Sequence, residues 1–382
     1  MSRSRRTQRR QPTRSKPTTG RIPDPGRSSV QHPPGRSHGG RSQAILKASS
    51  PGDVIALIPY QLGFQPEHSL VLLVVNEPRG RLGPILRVDL PDRQTHRATA
   101  DYLVQVLSHH GLRRVIAVAF SPQAAEAESF VEELSAALTV ADIELVDAWR
   151  ADGRRWYSYV CTSSVCCPSE GVAYGQQEGT VVAEAVVAGA VALPDRQALR
   201  DSIDRLPDPG GAMRAATASA TLAWSNRPTA DRERRAWLGR EMDRIVDLVT
   251  TFSQDRRHLD DIECARLSVA VQDIMVRDAA WAVMDHPGIE AHVDFWAQVT
   301  RRAVDGFVAA PSSLLGFACW IQGSGALARC AAERALRDDP GYSMAHLLEE
   351  SLDRCVPPSA WRPIPLREIY AVAGCQPGWG AG

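Results

Sequence analysis

No stretch of this 382-residue chain approaches the run of about 18 apolar residues that crosses a bilayer, so a membrane-spanning protein is not expected. The amino terminus carries arginine pairs but no apolar segment behind them. Neither a secretory nor a twin-arginine leader is expected, and the chain reads as cytoplasmic. There is no GxxxxGK(S/T) loop, no GxGxxG after a strand and no HExxH, which removes the ordinary P-loop ATPase, the dinucleotide fingerprint and the zinc protease. Gly323-Ser324-Gly325 is not a GxSxG nucleophile elbow, because it falls between two helical patterns. His109-His110 closes a helical pattern, where imidazoles suit the helix dipole better than a metal. Acid is scarce at the front of the chain: Asp24 stands against eleven Lys and Arg in residues 1–41. The formal net charge is zero, so a tail of +10 is followed by a body of −10. Residues 1–42 also lack apolar periodicity and are expected to be disordered. Such an arm can contact nucleic-acid phosphates nonspecifically, although no aromatics interleave with its arginines; its plainer role is a solubilising extension.

The full chain has 44% hydrophobic and 23% charged residues, ordinary for a globular protein, and enough length for two or three domains. Ser49-Ser50-Pro51-Gly52-Asp53 reads as a helix start, with a serine cap, a proline in the first turn and an acid against the dipole. Pro59 kinks or ends this helix and Gly63 suits a left-handed stop. Ser69 to Val75 is a continuous apolar run, as in a strand covered on both faces, and residues 85–90 alternate. The link between them is too short for a helical crossover, so the two are expected to form a hairpin, with Asp89 opposite Val71 and Arg87 opposite Leu73. Helical spacing over 95–110 and 123–138 alternates with strand patterns at 114–120, 143–149 and 156–161. Residues 43–175 are therefore expected to be an α/β domain, a mixed open sheet with a leading β-hairpin. From about residue 179 only helical patterns follow. Residues 176–362 are expected to be an all-α domain, and 363–382 an extended tail.

The segment Pro59-Tyr60-Gln61-Leu62-Gly63-Phe64-Gln65-Pro66-Glu67-His68-Ser69-Leu70-Val71 resembles the opening of an actinobacterial family known as domain of unknown function 4192. Three further pieces match in order: Leu86 to Pro91; Cys161 with Cys166-Cys167-Pro168 and Gly171; and Gly325 through Asp339-Pro340 and Tyr342 to Leu352, with Pro358 and Trp361. The resemblance spans about 45–362 and implies no established activity. Leu315, Gly316, Ala328, Ala335 and Pro340 also fall on signature positions of a tetratricopeptide repeat, while Ser312, Cys319 and Ala332 stand where its larger residues belong. Residues 312–355 thus read as a tetratricopeptide-like helical hairpin, or more plainly as an ordinary α-hairpin.

Two constellations carry candidate chemistry. The expected hairpin gathers Gln65, Glu67, His68, Ser69, Arg87 and Asp89 at one end of the sheet. A histidine moves protons near neutral pH, a serine attacks or donates, and an arginine grips a carboxylate or phosphate. The plainer reading pairs Arg87 with Asp89 and leaves Ser69 to fix the turn. The second is Cys161, Cys166 and Cys167, three thiols suited to redox chemistry or a soft metal. A structural zinc wants four ligands and no sequence feature nominates a fourth, so zinc is conceivable here but no cofactor is expected; the plainer reading is a buried turn. Without a common catalytic motif, the chain reads as a noncatalytic ligand- or protein-binding regulatory protein, with a partner surface on its helical domain. The alternative is an enzyme using the His/Ser/Arg/Asp cluster or the cysteines in small-molecule or thiol-linked metabolism.

Overall fold

The fold begins with a helix whose ends are written into its sequence. In the computed structural model, which describes residues 48–76, 81–175 and 180–378, helix α1 runs Pro51–Leu62. Ser50 accepts the Asp53 amide while Asp53 reaches back to the Ser50 amide, a reciprocal capping box. Pro59 lies inside the last turn, and Gly63 ends the helix at φ +83°, a conformation that costs a Cβ-bearing residue.

Strand β1 (Ser69–Asn76) and strand β2 (Arg81–Asp89) pair antiparallel. Helix α2 (His96–His109) leads to β3 (Arg114–Phe120), helix α3 (Ala124–Val140) to β4 (Glu144–Ala151), and β5 (Arg155–Ser158) and β6 (Val172–Ala173) complete the sheet. The spatial order is β2-β1-β3-β4-β5-β6, with β3 and β4 the parallel pair. The hairpin forms as expected, but its register is shifted by two residues. Ser69 faces Asp89, Val71 faces Arg87 and Asn76 faces Arg81, and a one-residue irregularity falls between Leu73 and Val75. A shift of two keeps the side chains of residues 85–89 on their expected faces. The turn at 77–80 lies outside the described residues, as does the arginine-rich tail.

Each face of the sheet has its own core. Leu70, Leu72, Ala117 and Ala119 pack against Leu103 and Leu107 of α2 and Phe130 and Leu134 of α3. Val71, Leu73, Val118, Trp149 and Trp156 pack against Ile55 and Ile58 of α1. The apolar run of β1 is covered on both faces, as its composition requires.

The rest is helical: α4 (Thr180–Val187), α5 (Arg196–Asp201), α6 (Ala212–Ser225), α7 (Asp231–Asp255), α8 (Asp261–Ala270), α9 (Ile274–Ala282), α10 (Ile289–Arg302), α11 (Ala309–Gln322), α12 (Gly325–Asp338), α13 (Ser343–Asp353) and α14 (Leu366–Val372). Residues 261–282 form two helices, since Asp273 caps a new start by accepting the Met275 amide. Residues 366–372, expected to be extended, form α14 instead. Tyr370 is 1% exposed there and donates to Asp243 at 2.7 Å, an anchor that the flanking Pro363 and Pro365 conceal in the sequence. One large core joins these helices around Phe252, Phe295, Trp296 and Leu314, and Phe64, just ahead of β1, inserts into it. Tyr102 and His110 of the sheet region reach the Asp353 and Arg354 carbonyls at 2.7 and 2.8 Å. Among the described residues no helix is long and apolar enough to cross a membrane.

Candidate functional site

The cysteine loop follows β5. Ser158 Oγ accepts the amides of Val160 (3.2 Å) and Cys161 (2.9 Å), turning the chain out of the sheet. The Cys167 amide bonds to the Ser163 carbonyl at 2.9 Å, curling residues 163–167 back on themselves. Gly171 closes the loop at φ +74°, and a Cβ there would strike the Tyr157 ring, so the return path requires glycine. Arg155 holds the exit through the Gly171 and Glu170 carbonyls at 2.7 and 3.2 Å.

This path brings the Sγ atoms of Cys161, Cys166 and Cys167 within 4.8 Å of one another, and Cys161 and Cys166 within 3.2 Å. Cys166 is exposed, and the others are half-buried. Side-chain hydrogen bonds from Cys161, Ser163 and Cys167 hold the Cys166 thiol below its ordinary range. Cys167 goes the other way: burial, and the two sulfurs beside it, push its thiol up to about 12. A thiolate is thus favoured at Cys166 on the surface, beside the protonated thiol of Cys167. The three sulfurs form the one group of at least three cysteine, histidine or carboxylate ligands placed to share a metal among the described residues, and no histidine or carboxylate joins them.

The hairpin cluster is arranged differently. Antiparallel pairing of β1 with both neighbours sets Ser69 beside Asp89 and Phe120, and Phe120 beside Ala151. The cluster therefore lies at the carboxyl end of the parallel pair, where open sheets commonly bind ligands. Ser69 is fully buried, and its hydroxyl is saturated: it donates to the Glu67 carbonyl at 2.6 Å and accepts from Arg87 Nε and Nη2 at 3.0 and 2.7 Å. Arg87 also pairs with Asp89 at 2.5 Å and stands 5.7 Å over the Phe64 ring. Burial lowers the Arg87 pKa against the pull of Asp89. The structure thus brings Ser69, Arg87, Asp89 and the Glu67 backbone together and closes the network on itself. The side chains of Glu67 and His68 are exposed instead, and the His68 imidazole has no hydrogen-bond partner among the described residues. His68 takes φ +42°, uncommon for a residue with a Cβ, while its carbonyl accepts the Leu90 amide at 2.7 Å. Gln65 is tied through its amide to the Leu193 carbonyl at 2.9 Å. The Ser69 proton is committed to the Glu67 carbonyl, and among the described residues no base takes it, so the hydroxyl is not activated as a nucleophile.

Sequence reasoning missed Arg150 and Tyr159. Arg150 is 8% exposed on β4, and Tyr159, just past β5, hides its hydroxyl without a partner.

A mixed open sheet of this order, continued by a long helical array and carrying a three-thiol loop, defines an α/β protein with an all-α extension. Residues 51–359 match the model of the domain-of-unknown-function family DUF4192, and the chain belongs to that family. Comparison with curated proteins returns no match, and comparison with solved structures returns none either.

Proposed function

We propose that this is a noncatalytic binding protein that captures a thiophilic cation, Zn²⁺ or Cu⁺, at Cys161, Cys166 and Cys167. The observation that carries the reading is the convergence of three sulfurs within 4.8 Å on one short surface loop. Two thiolates bound to one zinc at about 2.3 Å each stand roughly 3.8 Å apart, so small rotations of the Cys side chains suffice. An all-sulfur set selects soft ions over Mg²⁺ or Ca²⁺ and leaves one position open to water or a partner's ligand. Binding must displace the Cys167 proton, so affinity rises with pH. The saturated network around Ser69 supports the noncatalytic half of the reading.

The test is metal content. Full-length protein kept reduced and loaded with Zn²⁺ or Cu⁺ is expected to retain about one ion per chain by native mass spectrometry. Cys166→Ser and Cys167→Ser should each lose it. Absence of retention, or retention unchanged in Cys167→Ser, refutes the reading.

The 3.2 Å approach of Cys161 and Cys166 favours a second reading, a dithiol–disulfide couple in thiol-linked chemistry. The two thiols would give two electrons and two protons to a hydroperoxide, forming the disulfide, an alcohol and water. That couple does not need Cys167, so peroxide-driven closure that survives Cys167→Ser in a protein that holds no metal selects it.

A further inference from the structure

We propose that Arg150 and Tyr159 form a binding site for a small oxyanion, the phosphate or carboxylate group of a ligand, at the carboxyl end of β3 and β4. The site stands on the other face of the sheet from the Arg87 network and is independent of the thiol loop.

Arginine is almost never fully buried unless paired, because an uncompensated charge is costly away from water. Arg150 is 8% exposed, yet among the described residues no carboxylate oxygen stands within 4 Å of it. Of its five N–H donors one is used, Nη1 to the Ser121 carbonyl at 3.2 Å. The Tyr157 ring covers one face of the guanidinium at 3.9 Å. Asp152 feels the charge of Arg150 but does not pair with it. Its oxygens are taken by the Arg154 and Arg155 amides and the Tyr157 hydroxyl, at 2.9, 2.7 and 2.9 Å.

Tyr159 supplies the second group. Its Oη is buried and makes no hydrogen bond, a state that a hydroxyl seldom keeps without an unseen partner. A phenol keeps its proton at neutral pH, so the group is a neutral donor. Tyr157 stands opposite Arg150, and the Tyr159 amide bonds to the Ala148 carbonyl, placing both tyrosines on the Arg150 side of the sheet. An orphan hydroxyl and a guanidinium with spare donors suit one acceptor-rich, negatively charged group, and the planar arginine fork matches phosphate and carboxylate alike.

The surroundings agree. Ser121, which receives the Arg150 bond, leads directly into α3, and no side chain caps the first amides of that helix. Residues 122–126 are exposed, so the approach is open. Exposed Glu126 and Glu128 on α3 weigh against a highly charged ligand and favour a singly or doubly charged group.

The experiment uses the full chain with inorganic phosphate and acetate as probes, each against chloride at matched ionic strength. Titration calorimetry and the melting temperature are the readouts. At least one probe should give saturable binding and raise the melting temperature above the chloride value; which one does so tells phosphate from carboxylate. Tyr159→Phe should weaken that binding about tenfold without lowering the melting temperature of the anion-free protein. Arg150→Gln should abolish it, and where that variant does not fold, Tyr159→Phe decides alone. Two results overturn the proposal: neither probe exceeding chloride, or binding unchanged in Tyr159→Phe.

Discussion

Replacing Ser69 by alanine separates a structural network from a ligand site at the hairpin end. The hydroxyl is fully buried and makes three hydrogen bonds, two of them to a guanidinium with 16% of its side chain exposed. Hydrogen bonds to charged groups contribute about 1.5–3 kcal/mol each, and a buried donor left unmatched costs a similar amount. Arg87 keeps Asp89, and the Glu67 carbonyl sits on an exposed residue that water can reach, so part of the loss is recovered. The net expectation is a loss of about 2 kcal/mol, or roughly 4 °C in melting temperature for a chain of this size. Urea unfolding followed by tryptophan fluorescence measures it, since Trp149 and Trp156 lie in the core beneath the network. Arg87→Met combined with Ser69→Ala should show about 1 kcal/mol of coupling between the two positions. Functional polar groups often cost stability, so Ser69→Ala at a ligand site would be neutral or stabilising. A change under about 0.5 kcal/mol, or a rise in melting temperature, refutes the structural assignment.

Three further outcomes follow from buried or crowded groups elsewhere. Burial pushes His292 down to about 4, and its Nδ1 has no partner. Above the ordinary histidine value of about 6.5 both folded and unfolded states are neutral there. Below it the unfolded chain takes a proton that the folded chain refuses, so stability should fall by about 3 kcal/mol between pH 6.5 and 4, and His292→Leu should flatten that slope in pH-dependent urea unfolding. Iodoacetamide on the native, reduced, metal-free protein should modify Cys166 first and leave Cys264 and Cys319, whose thiols burial raises, intact in peptide mapping; equal rates would contradict the packing. Gly316→Ala should cost about 1–3 kcal/mol by thermal melting, because a Cβ there overlaps Leu348 Cδ2 and crowds the Ala328 carbonyl across the α11–α12 contact.

The parts of the fold legible in the sequence were those decided within a few residues. Ser50, Asp53, Pro51 and Gly63 set the ends of α1 through their own hydrogen bonds and dihedrals, so their chemistry can be read without neighbours. The alternation of strands and helices marked the open sheet for the same reason. What failed depended on partners. The hairpin register differs by two because it is set by which residues pair across the strands, Asn76 with Arg81 and Ser69 with Asp89, and by neither strand alone. Tyr370 reads as the end of a tail until Asp243, far away on α7, supplies its acceptor. The three thiols were legible because seven consecutive residues carry them all, but their convergence rests on Ser158 and Gly171 outside that span.

Arg150 shows why the other candidate escaped notice. A charged residue closing an apolar strand reads as the exit to solvent, and the strand pattern accordingly ends at Trp149. The strand runs on to Ala151, since β5 pairs beyond that point and Tyr157 lies directly across from Arg150. Alternation alone carried a signal: Ala148 and Arg150 share a face, and Ala148 belongs to the core against α2 and α3. Either Arg150 would be buried with that face or the strand would stop short of it. Had an acid stood nearby at the matching register, the burial would explain itself as an ion pair. Position 119, across from Arg150 on β3, is alanine, and Tyr157 is its other neighbour, so the sheet surrounds the guanidinium with aromatic and aliphatic groups and leaves its donors unspent. A buried cation without its counterpart among the described residues makes an external anion the natural complement, and the orphaned Tyr159 hydroxyl points to the same deficit independently.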